Sequence, residues 1–228
     1  MNSNNRGFTL VELMIAMAVG MIVLGAVYAL FTAQSKYLAT QEQLAELHQN
    51  ARVALDIMVR EISMAGYNQT TDPATIAAVS CCKGTTTASN APCAGITHAA
   101  ADTISFVADI NGNGSTTAGT ANPNENIGYD RYHSETSPAG VYSLGRTSNN
   151  SKQPVIEYLD LLSFSYHAQD GSPPANLGKI RRVKITIVTR TAKEDPNYTD
   201  PTYGDHYRRY TLSSFAFPRN LELVDCPP

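Results

Sequence analysis

From Leu13 to Ala33 the chain is an almost unbroken apolar run, and one acid, Glu12, stands at its head. A run of about 21 residues, rising ~1.5 Å per residue, is long enough to cross roughly 30 Å of hydrocarbon. A cleavable secretory signal has a shorter apolar region that ends in a small-x-small site. Here Ala26 and Ala29 supply small residues, but the apolar run continues past them into a helical pattern. Arg6 in the short head favours a cytoplasmic N-terminus, and Lys36 on the far side weakens that signal. The plain reading is a single-pass anchor for an extracytoplasmic domain.

Glu12 does not fit a plain anchor. A carboxylate inside an apolar segment is costly, and such residues usually have a partner and a function. The sequence suggests no gain from this acid for an isolated anchor, and the nearest cation, Arg6, lies on the far side of Gly7. Cleavage after Gly7 would give Phe8 a free ammonium close to Glu12 in sequence. In a bundle of such helices, the carboxylate of one chain could neutralise the ammonium of its neighbour in a low-dielectric setting.

The stretch Arg6-Gly7-Phe8-Thr9-Leu10-Val11-Glu12-Leu13-Met14-Ile15-Ala16 resembles the class III leader and first helix of type IV pilins and type II secretion pseudopilins. The resemblance implies cleavage by a membrane prepilin peptidase after Gly7, N-methylation of Phe8, and alignment of subunits through Glu12. Weaker segments follow in order: Phe106 to Gly114, Leu162 to Gly171, Ile180 to Ile185, and Arg219-Asn220. Together they resemble minor pilins of the PilW type, related to the J-type pseudopilin. That implies a leader over residues 1–7, a transmembrane or filament-core helix over 8–33, its amphipathic continuation over 34–66, and a β-rich periplasmic or extracellular domain over 67–228. Implied partners are other major and minor pilins, the prepilin peptidase and an inner-membrane assembly platform. The implied location is the inner membrane, then the pilus at the cell surface. A type II secretion minor pseudopilin and a signal-anchored periplasmic enzyme or binding protein are the rival readings.

The fold expected is α+β, a long N-terminal helix on an antiparallel β-rich domain. Helical periodicity continues from Gln34 to Ala65, with Leu44, Leu47, Ala51, Leu55, Met58 and Ile62 forming one apolar stripe. Arg52–Asp56 and Asp56–Arg60 are spaced to pair along the exposed side. Gly66 is placed to end the helix, which would run from Phe8 to Ala65 over about 85 Å. Strands are expected at Thr103–Ala108, Gly140–Leu144, Leu162–His167, Ile180–Thr191 and His206–Phe217. Val183, Ile185 and Ile187 alternate with Lys184 and Thr186, and Asp170-Gly171 marks a turn. Polar loops are expected at Asn111–Asn126 and Ser143–Gln153. The basic stretch Lys179–Lys184 reads as a solvated sheet edge rather than a nucleic-acid patch.

The formal net charge of -3 and pI near 5.9 give no overall basic footprint, which argues against a nucleic-acid partner. Cys81, Cys82, Cys93 and Cys226 all follow the apolar run, as in a chain exported to an oxidising compartment. A vicinal Cys81–Cys82 bridge would strain the peptide. Cys93 is therefore expected to pair with one of them and Cys226 with the other, with the choice left open.

Asp109-Ile110-Asn111-Gly112-Asn113-Gly114-Ser115 matches the first half of a calcium loop, with oxygen side chains at alternate positions before a glycine. Ser115 could add its carbonyl, and Glu125 could close the site from a longer loop; a metal-free polar turn is the alternative. No cofactor is required by this reading. The histidines His48, His98, His133, His167 and His206 lack zinc-motif spacing, and there is no nucleophile elbow or phosphate-binding loop. Glu157 and Asp160 read as surface carboxylates rather than an acid–base pair. The chain is therefore expected to be structural, with no catalytic residues.

Overall fold

The apolar stripe closes on a helix that runs without interruption. In a computed structural model, which describes residues 7–67, 95–113, 124–135 and 137–222, helix α1 spans Leu10–Ser63. Thr9 caps its start: its backbone carbonyl accepts from the Leu13 amide and its hydroxyl from the Glu12 amide, both at 3.2 Å. Gly66, at φ +80°, ends the turn beyond the helix in the left-handed region where glycine is favoured. The chain divides into two compact units, Met1–Ala45 and Glu46–Pro228, so the first part of α1 belongs to one and the remainder to the other.

In the first unit, large apolar side chains of the helix are exposed throughout, Leu10, Met14, Ile22 and Phe31 among them. In the second unit the stripe is buried: Leu47, Ala51, Ala54, Leu55, Met58 and Ile62 lie inward. Of the two expected pairs along the outer side, Asp56–Arg60 closes at 2.7 Å, and Arg52–Asp56 is not among the ion pairs of the described residues. The Asp56–Arg60 bridge is well exposed and contributes only a few tenths of a kcal/mol.

Among the described residues, the β part of the second unit has two antiparallel sheets. The first is a five-stranded meander of β1 (Gly95–Ala99), β2 (Thr103–Val107), β3 (Asn126–Tyr132), β4 (Ser143–Ser148) and β5 (Ser151–Glu157), paired in chain order. The second contains β6 (Leu159–His167), β7 (Arg182–Arg190) and β8 (Arg209–Ala216). One core joins the helix stripe to both sheets through Ile104, Phe106, Tyr129, Leu144, Phe164, Val183, Ile185 and Ile187. Tyr166 helps join the sheets by donating its hydroxyl to the carbonyls of Ala100 at 2.8 Å and Thr103 at 3.2 Å. Burial, with the charge of Asp102 adding to it, raises the pKa of that phenol.

The second sheet follows the alternation in its sequence. Val183, Ile185 and Ile187 face the core, and along β8 Thr211, Ser213 and Phe215 face out while Tyr210, Leu212 and Ala216 face in. The Asp170-Gly171 turn forms, with Gly171 at φ +86°.

Three expectations are corrected. Ser143–Gln153 is not a loop: β4 and β5 form a hairpin, with Ser148 opposite Ser151. Its two-residue turn, Asn149-Asn150, has φ of 51° and 65°, the doubly left-handed turn that suits strand twist. Consequently the strand expected at Gly140–Leu144 begins only at Ser143. The basic stretch is not at a sheet edge, because β7 lies between β6 and β8. Arg181 donates to the carbonyls of Gly178 and Ile180, and Arg182 lies 5.3 Å from the Phe215 ring, so both are engaged within the domain.

Candidate functional site

The exposed N-terminal end of α1 is the candidate site. Phe8 is 85% exposed, and Gly7, Thr9 and Glu12 are also exposed. By length and composition this helix is apolar enough to cross a membrane, and its most apolar stretch is not buried. Apolar surface of that extent is not left in water; it calls for lipid or other helices.

Thr9-Leu10-Val11-Glu12 has the spacing of a capping box, and the structure makes half of one through the Glu12 amide. That bond uses the backbone amide of Glu12 and not its carboxylate, so it gives the acid itself no role. A carboxylate in the first turn opposes the positive end of the helix dipole. The signal was present in the Thr-x-x-Glu spacing. The helix dipole favours an acid at the helix start, but it does not account for the uncovered apolar face around it.

Glu61, at the other end of α1, had no sequence signal as a site residue. Its carboxylate accepts the Tyr129 hydroxyl at 2.5 Å and the Arg146 guanidinium at 3.0 Å. Arg146 also donates to Asn124, which accepts from Ser148 as well. Tyr129 is fully buried, and burial, with the Glu61 carboxylate accepting its hydrogen bond, raises the pKa of its phenol. This cluster fixes the last turns of α1 to β3 and β4.

A second cluster surrounds Arg209. Its guanidinium pairs with Asp160 at 2.5 Å, Asp205 at 2.6 Å and Asp200 at 3.3 Å, and it lies over the Tyr203 ring. Arg208 pairs with Asp195 at 2.8 Å, and Arg190 with Asp160 at 3.4 Å. The hydrogen bond from Arg209 holds the Asp205 carboxyl down at about 2, and that from Arg208 lowers Asp195. Asp160 therefore belongs to a structural ion network that secures the segment between β7 and β8.

Of the expected calcium residues, Asp109, Asn111, Asn113 and Glu125 come together at the β2–β3 connection, and Ser115 lies outside the described residues. Asp109 accepts from the Gly112 amide at 2.8 Å, and Glu125 from the Asn111 amide at 3.0 Å. Cys81, Cys82, Cys93 and Cys226 also lie outside the described residues, as do residues 1–6 of the expected leader.

The chain thus presents a membrane-length apolar helix ahead of an α+β domain. Residues 2–28 match the family model of the prokaryotic N-terminal methylation motif. The motif, with the uncovered apolar helix, supports membrane anchoring of the chain. No curated protein matches the chain. Among solved structures it is similar to the type IV-like pilin TTHA1219 from Thermus thermophilus, at 9% identity and TM-score 0.41, over 77% of this chain and 98% of that one. That degree of overlay carries no argument about function.

Proposed function

We propose that this chain is a minor type IV pilin of the PilW type, a structural subunit that primes pilus assembly or enters the filament. Prepilin peptidase cuts after Gly7 and methylates the new terminus at Phe8. The mature helix is held in the inner membrane, with the β-rich domain in the periplasm, until it joins major and minor pilins on the assembly platform. Glu12 of one subunit then pairs with the Phe8 ammonium of a neighbour. The chemistry of processing is done to this chain, not by it.

The observation that carries this reading is the methylation motif over residues 2–28 at the head of a helix whose apolar side chains are uncovered. An ammonium and a carboxylate among such side chains are favourable together and costly apart. The test is Glu12→Ala in a strain that lacks the wild-type copy. Membrane insertion and leader cleavage are expected to persist, with a marked loss of piliation. Normal piliation would contradict the role given to Glu12.

A further inference from the structure

The connection between β2 and β3 holds two acids where water is excluded. Asp109 and Glu125 are each 1% exposed. Their carboxylates accept from amides of the same tight loop, Asp109 from Gly112 and Glu125 from Asn111. Asn111 turns its side-chain oxygen to the Asn113 amide at 2.9 Å. Carboxylate and amide oxygens are thereby gathered around one short segment.

The two oxygens of Glu125 differ in surroundings. Oε1 takes the Asn111 amide, while Oε2 is buried with no hydrogen-bond partner. Among the described residues, no lysine, arginine or histidine forms an ion pair with Glu125. A buried carboxylate oxygen without donor or cation is a costly arrangement. Because Oε1 fixes the carboxylate against Asn111, Oε2 is held at the same loop. Hard cations are what such oxygens take. The Asp109-x-Asn111-x-Asn113-Gly114 spacing, with oxygens at alternate positions, is the pattern that wraps calcium.

We infer that the β2–β3 connection binds one calcium ion through Asp109, Asn111 and Glu125, with Glu125 Oε2 as a direct ligand. Among the described residues no three His, Cys, Asp or Glu side chains converge on a metal position, so the site has two carboxylates and completes its shell with amide, carbonyl or water oxygens. That donor set is typical of calcium and unlike the nitrogen and sulfur sets of zinc. The ion would lie where the Asp109 amide donates to the Tyr67 carbonyl at 2.8 Å, beside the segment that leaves α1. It therefore fastens β2, β3 and the end of the helix together, and its binding does not depend on the pilin reading.

The test uses the full chain in detergent, stripped with a chelator and titrated with calcium chloride by calorimetry. One ion per chain is expected, with a dissociation constant of about 0.1–1 mM, as in extracytoplasmic calcium modules. At 10 mM calcium the melting temperature should rise by at least about 3 °C, and magnesium should give a smaller rise. Glu125→Gln should abolish both the heat and the shift while melting, in chelator, no lower than the parent. Asp109→Asn, which keeps an oxygen for the Gly112 amide, should weaken binding at least tenfold and serves if Glu125→Gln does not fold. No binding by the parent chain at 10 mM calcium, an equal response to magnesium, or undiminished binding by either folded variant would overturn the inference.

Discussion

The contact between Glu61 and Tyr129 should be the strongest single tie between α1 and the first sheet. Tyr129 is fully buried and donates to a carboxylate. A hydrogen bond to a charged group contributes about 1.5–3 kcal/mol. Tyr129→Phe should cost the low end, about 1.5 kcal/mol, because Glu61 keeps Arg146. Glu61→Ala should cost more. It removes that bond, leaves the buried hydroxyl without an acceptor, and releases Arg146. The Arg146 share is only about 1 kcal/mol, because the pair is about a fifth exposed and partly screened. The total is about 3 kcal/mol, or about 6–12 °C in melting temperature for a unit of this size.

A double-mutant cycle separates the terms. With Glu61 absent, Tyr129→Phe removes an orphaned hydroxyl and should be neutral or stabilising. The coupling energy is therefore expected to be at least about 1.5 kcal/mol. The assay is denaturation of the full chain in detergent, followed by tyrosine near-ultraviolet circular dichroism. A coupling below about 0.5 kcal/mol would refute the reasoning, because additive effects would mean that the two groups do not rely on each other.

Two further predictions concern the same unit. The carboxyls of Asp195, Asp200 and Asp205 are depressed, Asp205 to about 2. They contribute stability in full above the unfolded-state value of about 4, and lose it as pH falls towards 2. Arg209→Met should flatten that acid limb in melting curves taken from pH 5 to pH 2; an unchanged slope would contradict the ion network. Gly66→Ala should destabilise by about 1–3 kcal/mol, read from denaturant midpoints. The new methyl carbon would sit 2.7 Å from a Leu221 side-chain carbon, on a backbone at φ +80°. A neutral substitution would mean that the turn re-forms without left-handed backbone there.

The helix and the second sheet were legible because each obeys one period. Leu47, Ala51, Leu55, Met58 and Ile62 repeat at helical spacing, and Val183, Ile185 and Ile187 at strand spacing. β1, β3 and β5 were not legible. β5 buries only Ile156, and its Ser, Lys and Gln residues lie on the exposed side. β3 places Ile127 and Tyr129 inward among Asn, Gly, Asp and Arg, so its composition reads as loop. Asn149-Asn150 is a polar pair that any loop could carry; only its left-handed backbone marks a hairpin.

At the N-terminus, Gly7, Phe8 and Glu12 were readable from local order alone. The calcium half-motif was readable up to Asn113, and the orphaned oxygen of Glu125 required the fold. Glu61 could not be found in the same way, because its partners lie 68 and 85 residues away and no local period connects them.

The most direct test of the account is the N-terminal mass of the protein isolated from membranes. The account predicts a chain that begins at Phe8 and carries one methyl group on its amine. A chain that retains Met1 to Gly7 would contradict it, because Glu12 would then have no new ammonium to meet, and an ordinary tethered domain would be the better description.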